Sequence, residues 1–418
     1  MHVRKHACTL TRIVTATIWL MLGARGVCAD GPDAAGLGKD RGYPVGSAAT
    51  WLSDESVRVG SFSNLEHIVP TNRLSRAPLQ LELPVESPAP HLRYMFEGRT
   101  KALPEFLSEQ RATGLLIVRD GVILAEHYQY DRRDTHRFVS HSMAKSLVGI
   151  AIGMLVAEGK IASLDDLVET YVPALAGSAF GQVSIRHCLR MSSGVAFRET
   201  YDGRDDLRRF HRLMTASGRT AAIRAFDTRL VAPGQKFQYA TIETYVLGAV
   251  VTAITGSSLS AYLETRLWHR IGAESDATWA KSVTDGLEHA GGGFSARLRD
   301  YGRLGMMLAG DGIIRGHRVI DASFLLEATD WQRQPPPFHP RRATSSFGYG
   351  YHFWTFPGRK RRFALLGIYG QSIFVDPELR LVMVITAVAK RPLVAGDILS
   401  RERDALWRGL VATFGSWD

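Results

Sequence analysis

Cysteine is scarce in this chain of 418 residues. There are three cysteines, and two of them, Cys8 and Cys28, lie within the leading segment, residues 1–29. Cys188 therefore has no partner for a disulfide in the rest of the chain, and stability must come from packing. Because Cys188 has apolar neighbours and no residue at metal-ligand spacing, we predict that it is a buried core thiol.

The signatures of several enzyme classes are also missing. The chain contains no Gly-x-Ser-x-Gly nucleophile elbow, no His-Glu-x-x-His zinc helix, no Walker loop and no glycine fingerprint for a dinucleotide. Its 14 histidines show no pairing at metal-ligand spacing. We therefore expect neither a metal ion nor an organic cofactor.

No block of basic residues is interleaved with aromatic residues, although the net charge is +10. The leading segment holds four of the basic side chains and no acidic one, so the charge of the remaining chain is smaller. The other basic side chains are spread along the chain. Nucleic-acid binding is therefore not expected. Weak attraction to anionic envelope surfaces stays open.

The leading segment resembles a secretory signal peptide. Arg4, Lys5 and Arg12 form a basic start, an apolar run covers residues 13–22, and Val27-Cys28-Ala29 fits a cleavage site. The run is too short to span a bilayer comfortably, and a valine before Cys28 argues against lipid attachment. We expect an exported protein, periplasmic or secreted, with no stable membrane span. A retained anchor is the alternative.

The remaining sequence predicts an α+β fold, and its composition, 45% hydrophobic and 22% charged, is that of a globular protein. An irregular N-terminal segment, residues 30–110, precedes a catalytic domain, residues 111–418. A hairpin closed on Asp120-Gly121 is expected early in that domain, and three apolar strands and an amphipathic helix near its end. We predict an antiparallel sheet built from both chain ends and flanked by helices. The expected sheet subdomain consists of residues 111–150 and 290–418, and a mostly helical insertion covers residues 151–289. The three late strands are expected at residues 363–368, 372–375 and 381–389. The last helix is expected at residues 401–414.

The pair of Ser142 and Lys145 carries the first chemical signal. Residues three apart on a helix share one face, so the lysine amine can touch the serine hydroxyl and take its proton. The stretch from Ser146 to Lys160 is apolar on every side, which is typical of a buried helix. Burial would lower the pKa of Lys145 and make it a base. Ser-x-x-Lys also occurs by chance, but no other of the nine lysines has a serine three residues before it.

Two further motifs give the pair a family context. Tyr239-Ala240-Thr241 lies just before a helical pattern that begins near Thr244, and it resembles the Tyr-x-Asn element of class C β-lactamases. Residues 367–377, Gly-Ile-Tyr-Gly-Gln-Ser-Ile-Phe-Val-Asp-Pro, resemble the third motif of that family. Stretches near residues 190, 298 and 348 look like the branch with 6-aminohexanoate-dimer hydrolases and carboxylesterases. The chain is thus similar to serine β-lactamase-related hydrolases over about residues 55–415.

This resemblance implies a serine hydrolase that cleaves small esters or amides. Ser142 would form an acyl-enzyme, with Lys145 and Tyr239 as the general base and acid pair. A cation beside Tyr239 is expected to favour its phenolate, and the two groups should titrate together. The backbone N–H groups of Ser142 and Gln371 would form the oxyanion hole.

Departures from the family pattern bear on the substrate. Thr241 replaces the motif asparagine, and Tyr369-Gly370 stands where β-lactamases have Lys-Thr-Gly. We expect Thr241, Tyr369 and Gly370 to bind substrate, and loss of the lysine weakens the β-lactam interpretation. Tyr201 resembles the substrate-side group of the amide-cleaving branch, although it could equally be a surface aromatic.

Two other functions stay open. One is a D-Ala-D-Ala peptidase, a penicillin-interacting protein or a weak β-lactamase, against which the missing lysine argues. The other is a catalytically silent ligand-binding module, against which Ser142, Lys145 and Tyr239 argue. The sequence does not reveal the oligomeric state.

Overall fold

The computed structural model describes residues 30–393 and 395–417. The expected signal peptide therefore lies outside the described residues. In the described part, helices α1–α12 and strands β1–β15 are numbered in chain order. The helices are Glu55–Phe62, Leu103–Glu109, Ala144–Ala157, Val168–Tyr171, Ile185–Leu189, Asp206–Ser217, Arg219–Arg224, Thr241–Thr255, Leu259–Leu263, Leu298–Ala309, Ala322–Thr329 and Ile398–Phe414. The strands are Thr71–Leu74, Arg93–Phe96, Arg99–Ala102, Ala112–Arg119, Val122–Tyr128, Arg137–Val139, Ala277–Ala280, Phe294–Arg297, Ile313–Ile314, His317–Arg318, Gly348–Tyr349, Trp354–Thr355, Phe363–Leu366, Ser372–Asp376 and Leu381–Ala387.

A seven-stranded antiparallel sheet joins the two ends of the chain. Its strand order is β11-β12-β13-β14-β15-β4-β5, so the late strand β15 pairs with the early strand β4. The predicted α+β class and its sheet from both chain ends are confirmed. The predicted hairpin is confirmed as well, because β4 and β5 are joined through Asp120 and Gly121, both at positive φ.

Both faces of this sheet are covered, which explains why its central strands are apolar without interruption. Successive side chains of a strand point to opposite faces. Leu116 and Val118 accordingly pack in one core cluster with α3, α8 and α10, whereas Leu115 and Ile117 pack in a second cluster with α12 and the N-terminal segment. Cys188 is buried in the first cluster, as predicted.

Helices between residues 144 and 268 form the inserted part, and two of them position the site. α3 begins after the short 3₁₀ turn His141–Met143, and α8 begins three residues earlier than the helical pattern indicated. The two helices pack against each other in the core. Their N-terminal ends therefore bring the serine motif and the tyrosine motif together.

A second sheet, of four strands, departs from the prediction. Its order is β1-β7-β8-β6, and β7 lies where a helical pattern was expected. β6 leads directly into the serine turn, and the Ser140 N–H donates to the Phe294 carbonyl at 2.7 Å. This pairing brings the glycine-rich loop before β8 next to the serine.

Residues 30–110 are more ordered than expected from their Pro, Gly and Ser content. The described part of this segment contains α1, α2 and strands β1–β3. Each element is short, so periodicity could not reveal it, and each is held by packing on the main body.

Among the described residues no single helix is both long enough and apolar enough to cross a membrane. One bent pair of helices, Thr241–Thr255 with Leu259–Trp268, meets the length and apolarity criteria when the two are taken together.

Candidate active site

The serine turn presents one accessible hydroxyl. Ser142 is partly exposed, whereas His141 and Met143 on either side are buried. Ser142 occupies the middle of the 3₁₀ turn, and α3 follows with apolar residues that anchor it in the core. The core therefore holds the turn while its central residue stays partly exposed, and the space beside the Ser142 hydroxyl is called the cleft below.

Lys145 contacts Ser142 as the spacing predicts. Its Nζ donates to Ser142 Oγ at 2.9 Å and to the Gly291 carbonyl at 2.8 Å. The lysine is only 2% exposed. Burial lowers its pKa from 10.5 to about 8, although the negative charge of Glu199 acts in the opposite direction. A large fraction of Lys145 is thus neutral in mildly alkaline solution and can accept the serine proton.

Gly291 is a site residue that sequence reasoning missed. A Cβ on Gly291 would lie 2.3 Å from Thr241 Cγ2 and 3.5 Å from Lys145 Nζ. Only glycine lets this backbone approach closely enough for its carbonyl to accept from the lysine. The run Gly291-Gly292-Gly293 is typical of a loop, but the partner of this loop depends on the pairing of β6 with β8.

Tyr239 also lies beside the serine and the lysine. Lys145 Nζ is 5.1 Å from the centre of the Tyr239 ring. Burial raises the pKa of Tyr239, Glu199 raises it further, and hydrogen bonding to the Ser142 side chain only partly opposes them. The expected lowering by the neighbouring lysine is therefore wrong: desolvation dominates, and Tyr239 is a protonated phenol at neutral pH.

Glu199 is a second residue that the sequence did not reveal. One carboxylate oxygen accepts from the Tyr201 hydroxyl and, at 2.7 Å, from the Thr241 hydroxyl. The other accepts from the Thr241 backbone N–H at 2.7 Å. Tyr201 in turn interacts with the Ser142 side chain, and burial raises the pKa of Tyr201. The structure thus brings Tyr201 and Thr241 to the site, joined by a carboxylate for which no motif gave a signal.

The third motif reaches the serine turn through its backbone. A Cβ on Gly367 would lie 2.4 Å from the Ser140 carbonyl, so glycine is required for this approach. The Gln371 side chain is occupied: Nε2 donates to the Ala387 carbonyl at 2.7 Å, and Oε1 accepts from the Ala387 N–H at 3.1 Å. Only the Gln371 backbone N–H is thus left for the predicted oxyanion role.

Comparison with known proteins places this geometry in a family. The Beta-lactamase family model matches residues 100–404, more than half of the chain. The chain belongs to the Beta-lactamase family. A 6-aminohexanoate-dimer hydrolase from Paenarthrobacter ureafaciens is 29% identical over 337 residues, covering 78% of this chain and 83% of the relative.

Solved structures share the fold of this Beta-lactamase family member. A Bacillus anthracis protein assigned as a 6-aminohexanoate-dimer hydrolase has a TM-score of 0.76 at 20% identity, covering 87% of this chain and 95% of that one. EstCE1, a hydrolase with promiscuous acyltransferase activity, has a TM-score of 0.58 at 18% identity, covering 73% and 96%. A family VIII carboxylesterase has a TM-score of 0.56 at 18% identity, covering 72% and 93%. The protein is a hydrolase of this family.

Tyr369 of this family member does not contact Ser142. Its hydroxyl donates to the Leu52 carbonyl at 3.2 Å, and the Arg58 guanidinium lies 4.4 Å from its ring centre. The side chain is 6% exposed and belongs to the core cluster that contains the N-terminal segment. Gly370 is also turned away, because a Cβ there would lie 2.6 Å from Leu399 of α12. The structure brings neither to the cleft, where substrate contact was expected.

His141 shares this aromatic environment. Its ring lies 5.9 Å from Trp51, 4.6 Å from Phe62 and 5.8 Å from Tyr369, measured between ring centres. Burial lowers its pKa to about 3, so it is neutral. Its Nε2 has no hydrogen-bond partner among the residues that the structure describes. His141 therefore acts as a packing group rather than a base.

An aromatic wall borders Tyr239 on the other side of the cleft. The Trp354 ring stacks on Tyr239 at 5.6 Å and meets Tyr349 at 4.9 Å. Trp354 is partly exposed, so the protein does not cover this wall completely. The described residues contain no group of three or more His, Cys, Asp or Glu side chains that could hold a metal ion.

Proposed function

We propose that the protein cleaves small amides and esters through an acyl-enzyme on Ser142, with Lys145 as the base and Tyr239 as the proton donor. The observation that carries this proposal is the 2.9 Å contact between the Lys145 amine and the Ser142 hydroxyl. A buried amine with a pKa of about 8 can accept the serine proton, which an exposed lysine ammonium cannot.

The acylation step follows from these positions. Ser142 Oγ bonds to the acyl carbon while its proton moves to Lys145 Nζ. The charge that develops on the carbonyl oxygen meets the backbone N–H groups of Ser142 and Gln371, and one such donor contributes about 3 kcal/mol in related sites. The bond to the leaving group then breaks, and that group takes the Tyr239 proton, which Lys145 replaces.

Deacylation repeats the sequence with water. A water molecule bonds to the acyl carbon and gives its proton to the neutral Lys145, and the ester bond to Ser142 Oγ breaks. Ser142 Oγ takes that proton back from Lys145, so the lysine is neutral again, and the acid product leaves. No group beyond the described side chains is needed to balance either step.

The substrate class rests on two sources. The curated relative is named for a linear amide dimer, and two of the structural neighbours are named as an esterase or a hydrolase with acyltransferase activity. Tyr369 replaces the lysine of the β-lactamase motif and its side chain lies in the core, so this motif position supplies no cation to hold a penicillin carboxylate. Small uncharged acyl groups against the aromatic wall fit this site better.

A substrate panel tests the proposal. Wild type and Ser142→Ala are compared on a p-nitrophenyl ester, a linear amide and nitrocefin. We expect ester and amide turnover that is lost in the variant, with weak or no nitrocefin turnover. Strong nitrocefin turnover would favour a β-lactamase or penicillin-interacting protein. The absence of any Ser142-dependent turnover or phosphonate labelling would favour a silent binding module.

Export is a separate proposal, based on the leading segment alone. Expression of the full chain followed by N-terminal sequencing of the mature protein tests it. A mature chain that begins at residue 30 is the expected result, and a chain that keeps the leader would support an anchor.

A further inference from the structure

Strand β5 forms one edge of the seven-stranded sheet, and this edge is covered over only part of its length. Val85 forms a single parallel bridge with Ile123. In this bridge the Glu86 N–H donates to the Ile123 carbonyl at 2.8 Å, and the Ile123 N–H donates to the Pro84 carbonyl at 2.7 Å. Beyond Ile123, no strand in the described part of the chain pairs with the outer edge of β5. The later residues of β5 therefore border a gap between the sheet and the N-terminal segment.

This gap is a pocket of about 550 Å³ with a mostly apolar wall. Leu124 of β5, Leu92 beside β2 and Leu103 of α2 line it, and all three are buried. Val85 lines it as well and is 61% exposed, so the pocket reaches the surface. Ligand sites in proteins have volumes of this order and walls that are chiefly apolar. The pocket thus has the size and the wall of a site for a short apolar chain.

Basic side chains also line the pocket. They are His91, Arg93 and His127, and in the described ranges none of them forms an ion pair or a side-chain hydrogen bond. Desolvation lowers the pKa of His127, although the charge of Glu126 acts in the opposite direction. His127 is therefore a neutral imidazole near pH 7. Arg93 is exposed and supplies a permanent positive charge.

An acidic side chain in the wall is already paired on the other side of β5. One oxygen of Glu126 accepts from Arg299 Nε at 2.8 Å and from the Tyr128 hydroxyl at 2.7 Å. The other oxygen accepts from Arg299 Nη2 at 2.7 Å. This carboxylate is thus held by a bidentate contact and does not pair with Arg93. An apolar wall beside an unpaired guanidinium complements an anion that carries an apolar tail.

We propose that this pocket binds the anion of a free fatty acid of medium chain length, with the alkyl chain against the three leucines and the carboxylate at Arg93. A guanidinium can donate two parallel hydrogen bonds to a carboxylate, which fixes the position of the head group. Each methylene of the tail that leaves water adds to the affinity. No bond is made or broken at this site.

The pocket is separate from the catalytic cleft. Tyr349 and Trp354, which border Tyr239, lie on β11 and β12 at one side of the seven-stranded sheet, whereas β5 is the strand at its opposite edge. Binding at β5 therefore does not rest on the proposed acyl-enzyme function. It can be measured on protein whose serine is blocked.

Titration calorimetry of the full chain with sodium octanoate tests the inference, with octanol and octylammonium as probes that carry the same tail. The variants are Arg93→Gln, which removes the cation, and Val85→Asp, which adds a carboxylate at an exposed lining position. Arg99→Gln is the matched control, because Arg99 is an exposed arginine on β3, the partner strand of β2, and does not line the pocket. Thermal unfolding of each variant without ligand confirms that it is folded.

We expect octanoate to bind at one site with a Kd below about 1 mM, and octanol and octylammonium to bind at least about tenfold more weakly. Arg93→Gln should weaken octanoate binding about fivefold or more, Val85→Asp should do the same, and Arg99→Gln should resemble wild type. Salt should weaken octanoate binding to wild type more than to Arg93→Gln, because it screens the guanidinium. Protein labelled at Ser142 with an alkyl phosphonate should bind octanoate as unlabelled protein does.

Equal affinities for octanoate and octanol, equal losses in Arg93→Gln and Arg99→Gln, or loss of octanoate binding on labelling of Ser142 would overturn the inference. Binding to vesicles that contain phosphatidylglycerol but not to octanoate would also overturn it, and would assign Arg93 to contact with an anionic membrane surface. None of these results decides the proposed function, which the turnover of Ser142→Ala tests separately.

Discussion

The serine turn has two sides of opposite chemistry. On the cleft side, Lys145 and Tyr239 face the Ser142 hydroxyl, and Glu199 holds Tyr201 and Thr241 beside them. On the other side, rings from the N-terminal segment and the third motif enclose His141. Groups that exchange protons must keep alternative hydrogen-bond partners, whereas groups that fix a backbone need dense packing. This turn meets both demands because the proton-exchanging groups and the packing groups lie on opposite sides of it.

His141 marks the border between the two sides. Its φ of 45° is unusual for a residue other than glycine. Such a conformation persists when surrounding packing holds it. The aromatic rings around His141 supply that packing, and they place Ser142 with its hydroxyl toward the cleft.

Two tyrosines on opposite sides give the sharpest contrast. Tyr239→Phe should lower kcat about 100-fold or more, the usual contribution of a positioned proton donor, because the leaving group then lacks its proton source. Tyr369→Phe should change kcat less than about threefold and cost only about 1 kcal/mol of unfolding free energy, because it removes one bond to the Leu52 carbonyl. Steady-state kinetics and urea unfolding of both variants measure these effects. Comparable losses of kcat in the two variants would contradict the division.

The packing side should respond mainly in stability. Phe62 is 4% exposed and contacts Trp51, His141 and Tyr369. Phe62→Ala should lower the free energy of unfolding by about 3 kcal/mol or more, because a buried ring leaves a cavity. Urea unfolding measures this loss, and activity of the folded fraction should fall less than in Tyr239→Phe.

Leu79→Ala is the matched control for that variant, because Leu79 lies in the same segment and is 67% exposed. Its change in unfolding free energy should stay within about 0.5 kcal/mol. A Phe62 variant that is as stable as this control would show that the ring does not support the turn.

The cleft side should also respond to pH. Lys145 acts as a base only when neutral, and its pKa is lowered to about 8. Because the protonated form dominates below that pH, kcat/KM should fall about tenfold per pH unit below 8 and level off above it. A pH profile with a stable amide substrate, corrected for spontaneous hydrolysis, measures this. A profile that is flat from pH 6 to 10 would contradict the role of Lys145.

Local spacing made part of the site predictable. Ser142 and Lys145 lie within one helical turn, so their contact follows from helix geometry alone. The central strands and the hairpin were equally clear, because an uninterrupted apolar run and an Asp-Gly turn are local signals. The short elements of residues 30–110 were missed, since four-residue strands carry too little periodicity.

Contacts between distant segments were not predictable in this way. Glu199 accepts a hydrogen bond from Thr241, which lies 42 positions away in the chain. The Gly291 carbonyl accepts one from Lys145, which lies 146 positions away. Neither pair belongs to one helix or strand, so no spacing rule connects its members. The direction of the Tyr369 side chain was also hidden, because a motif specifies a backbone position and the N-terminal segment decides which way the ring packs.

The amino-acid sequence by itself determined the contact between Ser142 and Lys145 and the α+β architecture, because these depend on residues close in the chain and on patterns of burial. Tertiary structure alone decided which groups surround that pair. The carboxylate at Glu199, the carbonyl of Gly291 and the aromatic support of His141 all come from remote segments. The tertiary structure also decided the pKa of Tyr239, because desolvation in the folded protein raises it and outweighs the nearby charge that the sequence suggested.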